Sequence, residues 1–411
     1  MANRVVVTGY GAVTPLGLNV EDTWRSLIAG ASGVGYISLF DATDFKVKIA
    51  AEVRGFDPLV YLDPAMARRN DRFAQFALTA GLQAIESAGL KIDDTNRYDV
   101  GVLIGSGVGG LESLTQQLDI LKTRGPARVS PFLVPMMIAD SAASQVSIKT
   151  GIRGPNLGLI SACATGTDVL GVAYKMIRWG DAEAMVAGGA DAAVTPVGLA
   201  GFAQAGALSR NSEPQKASRP FDRERDGFIV GEGAAVLVLE NLDYARSRGA
   251  DIIAEVIGYG ATSDAYHITQ PMENGEAAAK AIRRALDDVE PDEVDYINAH
   301  GTSTPLNDAS ETRAIKKAFG DRAYEIPISS VKSMLGHMMG AAGAIEAIVC
   351  CKVINEGIIP PTVNLDNPDP ECDLDYVPHV ARAGDVKIAI SNSFGFGGHN
   401  SVIAVGRYDG Q

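Results

Sequence analysis

Apolar residues are arranged along this chain in two different ways. Short unbroken apolar runs, among them Val5 to Val7, Val100 to Ile104 and Ala235 to Leu239, have no polar face, and strands of that kind are buried on both sides of a sheet. Between them lie stretches with helical spacing, such as Leu78, Leu82 and Ile85, or Ala278, Ile282, Leu286 and Val289, which predict helices burying one stripe. Strands alternating with helices predict an α/β fold with helix-covered sheets.

The pattern occurs twice. Val5 to Val7 runs into Gly9-Tyr10-Gly11-Ala12, and Ile253 to Ile257 runs into Gly258-Tyr259-Gly260-Ala261. Each start is followed by a helical stretch and a strand, Val100 to Ile104 or Val294 to Ile297. A strand-like Leu157 to Ser161 then leads to Cys163 and a helix bearing Val169, Leu170, Val172 and Met176. Its counterpart, Ile326 to Ser329, leads through His337 to a helix bearing Ile345, Ile348 and Val349. Each series closes with paired strands, Ala184 to Ala187 with Ala235 to Leu239, and Val386 to Ile390 with Val402 to Val405. The expected organisation is two related halves, residues 1–250 and 251–411, each a βαβαβαββ unit. The first half is longer, with insertions around 14–70, 106–155 and 190–232, which are expected to cap a site or build a dimer interface.

Composition narrows the function. The chain has 411 residues, 46% of them hydrophobic and 45 of them glycine, as expected of a well-buried protein with many tight turns. A net charge of -14 argues against general nucleic-acid binding. Four cysteines without metal-ligand spacing, no signal peptide and no apolar stretch long enough to span a bilayer point to a reducing compartment, the cytosol or an organelle stroma, without membrane insertion.

Three residues stand out chemically: Cys163 in Ser161-Ala162-Cys163-Ala164-Thr165-Gly166, His300 in Asn298-Ala299-His300-Gly301-Thr302, and His337 after Lys332-Ser333-Met334-Leu335-Gly336. Each follows a strand-like run and stands among small residues. A cysteine at the start of a helix meets unpaired N–H groups and the positive end of the macrodipole, which favour thiolate over thiol. Taken singly, Cys163 reads equally as a small core cysteine, His300 as a strand-end histidine and His337 as a helix cap. Two of five histidines in glycine-rich turns at corresponding strand ends make a thiol nucleophile with two imidazole partners the stronger reading. His267, His379 and His399 carry no such context.

On these motifs, together with Arg219-Pro220-Phe221-Asp222, Arg225-Asp226-Gly227-Phe228, Gly231-Glu232-Gly233 and Asn392-Ser393-Phe394-Gly395-Phe396-Gly397-Gly398, the chain resembles the beta-ketoacyl-[acyl-carrier-protein] synthases, most of all the type II condensing enzymes. The resemblance covers essentially its whole length. It implies the thiolase-like fold, duplicated βαβαβαββ halves in a five-layered αβαβα arrangement, and a homodimer. The implied activity is an acyltransferase reaction, a decarboxylative Claisen condensation of malonyl thioester with an acyl group on Cys163 that lengthens the chain by two carbons. Acyl carrier protein is the implied partner, and no redox or organic cofactor is required.

The resemblance also assigns roles. His300 and His337 would stabilise the enolate formed on decarboxylation, with Lys332 and Glu346 hydrogen-bonded to each other and organising them. The acyl oxyanion would rest on the backbone N–H groups of Cys163 and Phe396. Thr302 and Thr304 match hydroxyls that hold the pantetheine arm, Phe394 and Phe396 match residues beside the substrate, and Phe396 matches a gate. Val108 and Phe202 match pocket-lining positions; Val108 stands where a larger isoleucine is common, which implies a slightly roomier acyl pocket. In some members a structural cation lies among positions matching Asn298, Glu346, Ser391 and Asn392. Acidic carrier proteins need a basic patch, for which Arg68 and Arg69 beside Arg72, and Arg124 with Arg128, are candidates. Relatives often carry an arginine after the position of Phe202; here Gln204-Ala205-Gly206-Ala207 removes that contact or moves it to Arg210.

Two other classes of protein share parts of this pattern. Gly105-Ser106-Gly107-Val108-Gly109-Gly110 fits the dinucleotide pattern, but Arg124 and Arg128 stand near where the acidic ribose ligand is required. A non-catalytic partner subunit of the chain-length-factor kind would lack the nucleophile. A polyketide ketosynthase shares all of the chemistry.

Overall fold

The computed structural model describes residues 2–287 and 289–410. Ten strands form its principal sheet: β1 Val5–Val13, β2 Val100–Gly105, β3 Asn156–Leu157, β4 Ala184–Asp191, β5 Gly233–Asn241, β6 Ala254–Ser263, β7 Tyr296–Asn298, β8 Ile328–Ser329, β9 Ile388–Gly395 and β10 His399–Gly406. Their order across the sheet is β8-β7-β9-β10-β6-β1-β5-β4-β2-β3. Read outward from the junction of β1 and β6, the two groups of five strands mirror each other. Within each, the first strand is followed by the fifth, fourth, second and third. The groups meet only where Val5 to Val7 pair antiparallel with Ala254 to Val256.

Six helices complete the layers: α1 Arg72–Ser87, α2 Ser141–Thr150, α3 Thr165–Trp179, α4 Glu276–Ala285, α5 Pro305–Phe319 and α6 Ala342–Glu356. Helices α1 and α2 pack on the outer face of the first group, α4 and α5 on the second, and α3 and α6 lie against each other between the two. The result is five layers, αβαβα. Three large apolar clusters fill the four spaces between them, the central one, with Leu170, Ile177, Ile345 and Ile348, spanning both faces of the α3–α6 layer.

The repeated Gly-Tyr-Gly-Ala has a packing reason. A Cβ on Gly9 or Gly11 would stand 2.5 Å from the Ala84 carbonyl or 2.2 Å from that of Ala80, and on Gly258 or Gly260 it would stand 2.0 Å from the Ala285 carbonyl or 2.1 Å from that of Ala281. Only glycine allows α1 and α4 to lie this close on β1 and β6.

Three strand predictions are corrected. The strand expected over Leu157 to Ser161 is confined to Asn156–Leu157; beyond it Gly158 lies against Asp140, and the chain turns toward Cys163. The one expected over Ile326 to Ser329 keeps only Ile328–Ser329, since Pro327 has no N–H for the ladder. The strand expected over Val386 to Ile390 starts instead at Ile388 and runs to Gly395, its start fixed by Asp295, whose carboxylate accepts from the N–H groups of Lys387 and Ile388.

Candidate active site

Both halves bring their chemistry to one cavity of about 380 Å³, whose wall includes Cys163, His300, His337, Phe394 and Phe396. Cys163 sits in a single 3₁₀ turn, Ala162–Ala164, directly before α3. Ala162 takes a left-handed φ of 52°, and this sharp elbow presents the half-buried thiol to the cavity. The sequence-based expectation of a resting thiolate is not met. Burial pushes the Cys163 thiol up to about 11, against the opposing pull of the Lys332 ammonium and of the backbone N–H groups of Phe396 and Cys163. Desolvation of the charged form outweighs the helix terminus here.

His300 follows β7 and is buried. Its backbone N–H and that of Gly301 donate to the two oxygens of Glu311, at 2.8 and 2.7 Å, and Asn392 Nδ2 donates to the same carboxylate at 3.1 Å. The turn is therefore clamped to α5 and β9. Glu311 was not singled out from the sequence, although a carboxylate on the buried face of a helix was the available signal. Its burial pushes the carboxyl up to about 7.

The backbone of His337 is fixed by the segment before Glu232: its N–H donates to the Ile229 carbonyl at 2.7 Å and its carbonyl accepts from Gly231 at 2.8 Å. Met339 N–H donates to His337 Nδ1 at 3.3 Å. An Nδ1 that accepts leaves the ring proton on Nε2, which is buried without a protein partner. The two imidazoles cross edge to face, 5.5 Å apart at 86°. Burial, then the charge on Lys332, holds both well below the ordinary histidine value, so at neutral pH they are uncharged N–H donors.

Lys332 Nζ donates to Glu346 Oε1 in a buried ion pair. Burial pushes the Glu346 carboxyl up to about 7, with Lys332 pulling it back. Thr302 and Thr304 line the cavity with their hydroxyls 3.0 Å apart. Phe394 packs on His300 with ring centroids 5.8 Å apart. Phe202 belongs to the apolar cluster that includes Cys163 and stacks edge-on against Phe228, which in turn lies against His337.

Val108 does not reach this cavity's wall. It stands on an exposed turn whose N–H is held by Asp191. The same turn answers the dinucleotide reading, because the N–H groups of Gly107 and Val108 that would face a pyrophosphate are given to Asp191. Arg68, Arg69, Arg124 and Arg128 are all exposed, with Arg69 stacked over Phe132. Arg72 is committed elsewhere, to buried Glu232 at 2.7 Å. Ala205 to Ala207 line the mouth of the cavity without a charge, and the Arg210 N–H donates to Asp226.

Comparison with known proteins agrees with this geometry. The family model of the beta-ketoacyl synthase N-terminal domain matches residues 2–245 and that of the C-terminal domain residues 253–366. The chain belongs to the beta-ketoacyl synthase family, with its thiolase-like fold. It is 52% identical over 408 residues to the 3-oxoacyl-[acyl-carrier-protein] synthase 2 of Synechocystis sp., covering 98% of each chain. The enzyme of that name from Coxiella burnetii is 51% identical, again over 98% of each. Among solved structures, a type II polyketide ketosynthase in complex with its acyl carrier protein and bound to the hexaketide matches with a TM-score of 0.92 at 36% identity, over 100% of both chains.

Proposed function

We propose that the protein is a 3-oxoacyl-[acyl-carrier-protein] synthase that lengthens fatty acyl chains by two carbons. The observation that carries this reading is one cavity holding a thiol and two neutral imidazoles, from opposite halves of the fold. In the first half-reaction Cys163 Sγ attacks the thioester of an acyl carrier protein. The Sγ–acyl bond forms, the bond between the acyl carbon and the pantetheine sulfur breaks, and the thiol proton leaves with the pantetheine sulfur. Thioester exchange is nearly isoenergetic, so a buried thiol suffices once the oxyanion is held by backbone N–H groups. In the second, malonyl thioester loses CO₂, and the electron pair moves onto the thioester oxygen, where the N–H groups of His300 and His337 stabilise it. The carbanion then forms a bond to the acyl carbon, the acyl carbon–Sγ bond breaks, and Cys163 Sγ departs as a thiolate that takes a proton from solvent. No base is required, which suits imidazoles held neutral.

A polyketide ketosynthase would use the same residues. Identities of 51–52% to the fatty-acid enzymes against 36% to the polyketide ketosynthase favour the first reading. Intact mass after mixing with a long-chain acyl carrier protein tests it. An acyl-sized increase in the wild type, absent in Cys163→Ala, is expected; no adduct at any chain length would point to a degenerate partner subunit.

Three finer features belong to the same proposal. The partner is acyl carrier protein, met by the exposed Arg68, Arg69, Arg124 and Arg128; reversing these charges together should raise KM for the carrier without altering kcat. The working unit is a homodimer. Strand β3 is a sheet edge whose Leu157 is exposed, as are Ile160 just after it and Leu118, Leu121, Phe132 and Val134 in the insertion over 106–155, a combination that seeks a covering surface; a monomeric mass by sedimentation would refute it. All four cysteines are free and no helix among the described residues is long and apolar enough to cross a membrane, which suits a cytoplasmic or stromal enzyme.

A structural cation also fits. Asn298 Oδ1, Glu346 Oε2, Ser391 Oγ and Asn392 Oδ1 are buried without hydrogen-bond partners, and Asn298 pairs with Ser391 across β7 and β9. Both amide nitrogens are already used, toward Tyr296 and Glu311, so the carbonyl oxygens are the free ends. Oxygen donors with one carboxylate suit a hard cation, which would supply positive charge beneath the histidine turn. Elemental analysis after dialysis, with thermal shift on adding K⁺, Na⁺ or Mg²⁺, tests this; no retained ion and no shift would reject it.

A further inference from the structure

Asp191 ends β4 behind the site and is completely buried. Its carboxylate gathers four donors: Ser106 Oγ at 2.7 Å, Gly107 N–H at 2.9 Å, Val108 N–H at 3.2 Å and Gly340 N–H at 2.6 Å. Burial pushes the Asp191 carboxyl up, and the four converging donors pull it back; three of them are backbone N–H groups, which can only donate, and hydrogen bonds to an ionised acceptor are the strong ones. Three of the donors belong to the turn after β2. The fourth belongs to the turn Met339–Ala341, which precedes α6 and follows His337.

That last contact matters because of its neighbour. Met339 holds a left-handed φ of 48°, unfavourable for a side chain of its kind and maintained only where the surroundings impose it. Its N–H is the donor to His337 Nδ1, while its own carbonyl belongs to the peptide whose N–H, that of Gly340, is held by Asp191. The fit is close: a Cβ on Gly340 would stand 2.7 Å from Asp191 Oδ2. The backbone of His337 is anchored separately, by Ile229 and Gly231. What remains for the Met339 turn to control is the imidazole ring.

We propose that Asp191 is a positioning residue for decarboxylation, holding the strained Met339 turn so that its N–H fixes the Nε2-protonated tautomer of His337. The inference rests on the role given to His337 above, yet its structural part can be tested without substrate. In this account Asp191 acts on the second half-reaction and leaves the acylation of Cys163 largely alone. Asp191→Asn replaces one acceptor oxygen with an NH₂ group that must face an N–H or O–H donor, so at least one arm is lost.

The test begins with the wild type. Nitrogen NMR of histidine-labelled protein, with the His337 signals assigned by comparison with His337→Ala, is expected to show Nδ1 unprotonated and Nε2 protonated. A proton on Nδ1 would overturn the proposal, and this result does not depend on any variant folding. Asp191→Asn is then expected to mix the tautomers and to slow malonyl decarboxylation about 10- to 100-fold, less than the 10²–10³ typical of removing a donor outright. Acylation of Cys163 should stay within about 3-fold. Ser106→Ala, which loses one donor in the other turn and spares the Gly340 arm, should change decarboxylation by less than about 3-fold. Equal loss of both half-reactions in Asp191→Asn, or loss of neither, would overturn the inference. A wild type that shows the expected tautomer but neither half-reaction would overturn the proposed function instead.

Discussion

The turn that carries Cys163 and the turn after His337 are the same construction used for opposite purposes. Each is a three-residue 3₁₀ turn, Ala162–Ala164 or Met339–Ala341, leading into a fifteen-residue helix closed by a left-handed glycine, Gly180 or Gly357. Each opens with a left-handed residue, Ala162 at 52° or Met339 at 48°. In this register Cys163 of the first half corresponds to Gly340 of the second. The first turn presents its side chain to the cavity. The second presents no side chain, and its N–H is consumed by Asp191. Duplication thus supplied two elbows at one interface, one a nucleophile and the other a support for His337, which lies three residues earlier.

The comparison breaks first at the nucleophile. Cys163→Ala should abolish acyl-enzyme formation altogether, measured by intact mass. Next come the donors. His300→Ala should lower decarboxylation by about 10²–10³-fold, the usual cost of one oxyanion-type donor, while leaving acylation within an order of magnitude; paired CO₂-release and mass assays check it. Smaller is the effect at the crossing of the two helices. Gly166 and Gly343, equivalent by the same register, each lie against the opposite helix, and a Cβ on Gly343 would stand 2.7 Å from the Thr167 backbone nitrogen. Gly343→Ala should destabilise the fold by about 1–3 kcal/mol, read from urea unfolding.

Smallest is a matter of pH. A thiol raised to about 11 is deprotonated only to about one part in a thousand at pH 8, so iodoacetamide should label Cys163 about tenfold faster per unit between pH 8 and 10, with no plateau. Because the histidine values are depressed, both rings stay neutral on passing down through the ordinary value of 6.5. The rings should therefore contribute no break there; a fall in decarboxylation as pH drops through about 7 would belong to Glu311 and Glu346, whose raised carboxyls take up protons in that range.

Much of this was legible in the sequence because repetition reveals what a single motif hides. The doubled Gly-Tyr-Gly-Ala, the matched helical stripes and the closing strand pairs define the topology, since close helix-on-strand packing demands glycine at those places. Cys163, His300, His337, Lys332 and Glu346 were readable from the turns and the family pattern. Glu311 and Asp191 were not. The donors to Asp191 are distant in sequence, Gly340 by 149 residues, and no local spacing signals such a contact; Glu311 lies only 10 and 11 residues from the N–H groups it accepts, and its place on the buried face of a helix was its one mark. The thiolate expectation failed for a related reason: a helix start is visible in sequence, whereas the burial that outweighs it is not. Val108 was placed by family position; in the single chain its turn is exposed and lies outside the wall of the cavity around Cys163.

The most direct test of the central claim, that the first half supplies the nucleophile and the second the donors, is CO₂ release from malonyl carrier protein by Cys163→Ala beside His337→Ala. The account predicts that Cys163→Ala still decarboxylates while His337→Ala, though acylated at Cys163, does so at least about a hundredfold more slowly. Equal decarboxylation by the two variants would contradict it.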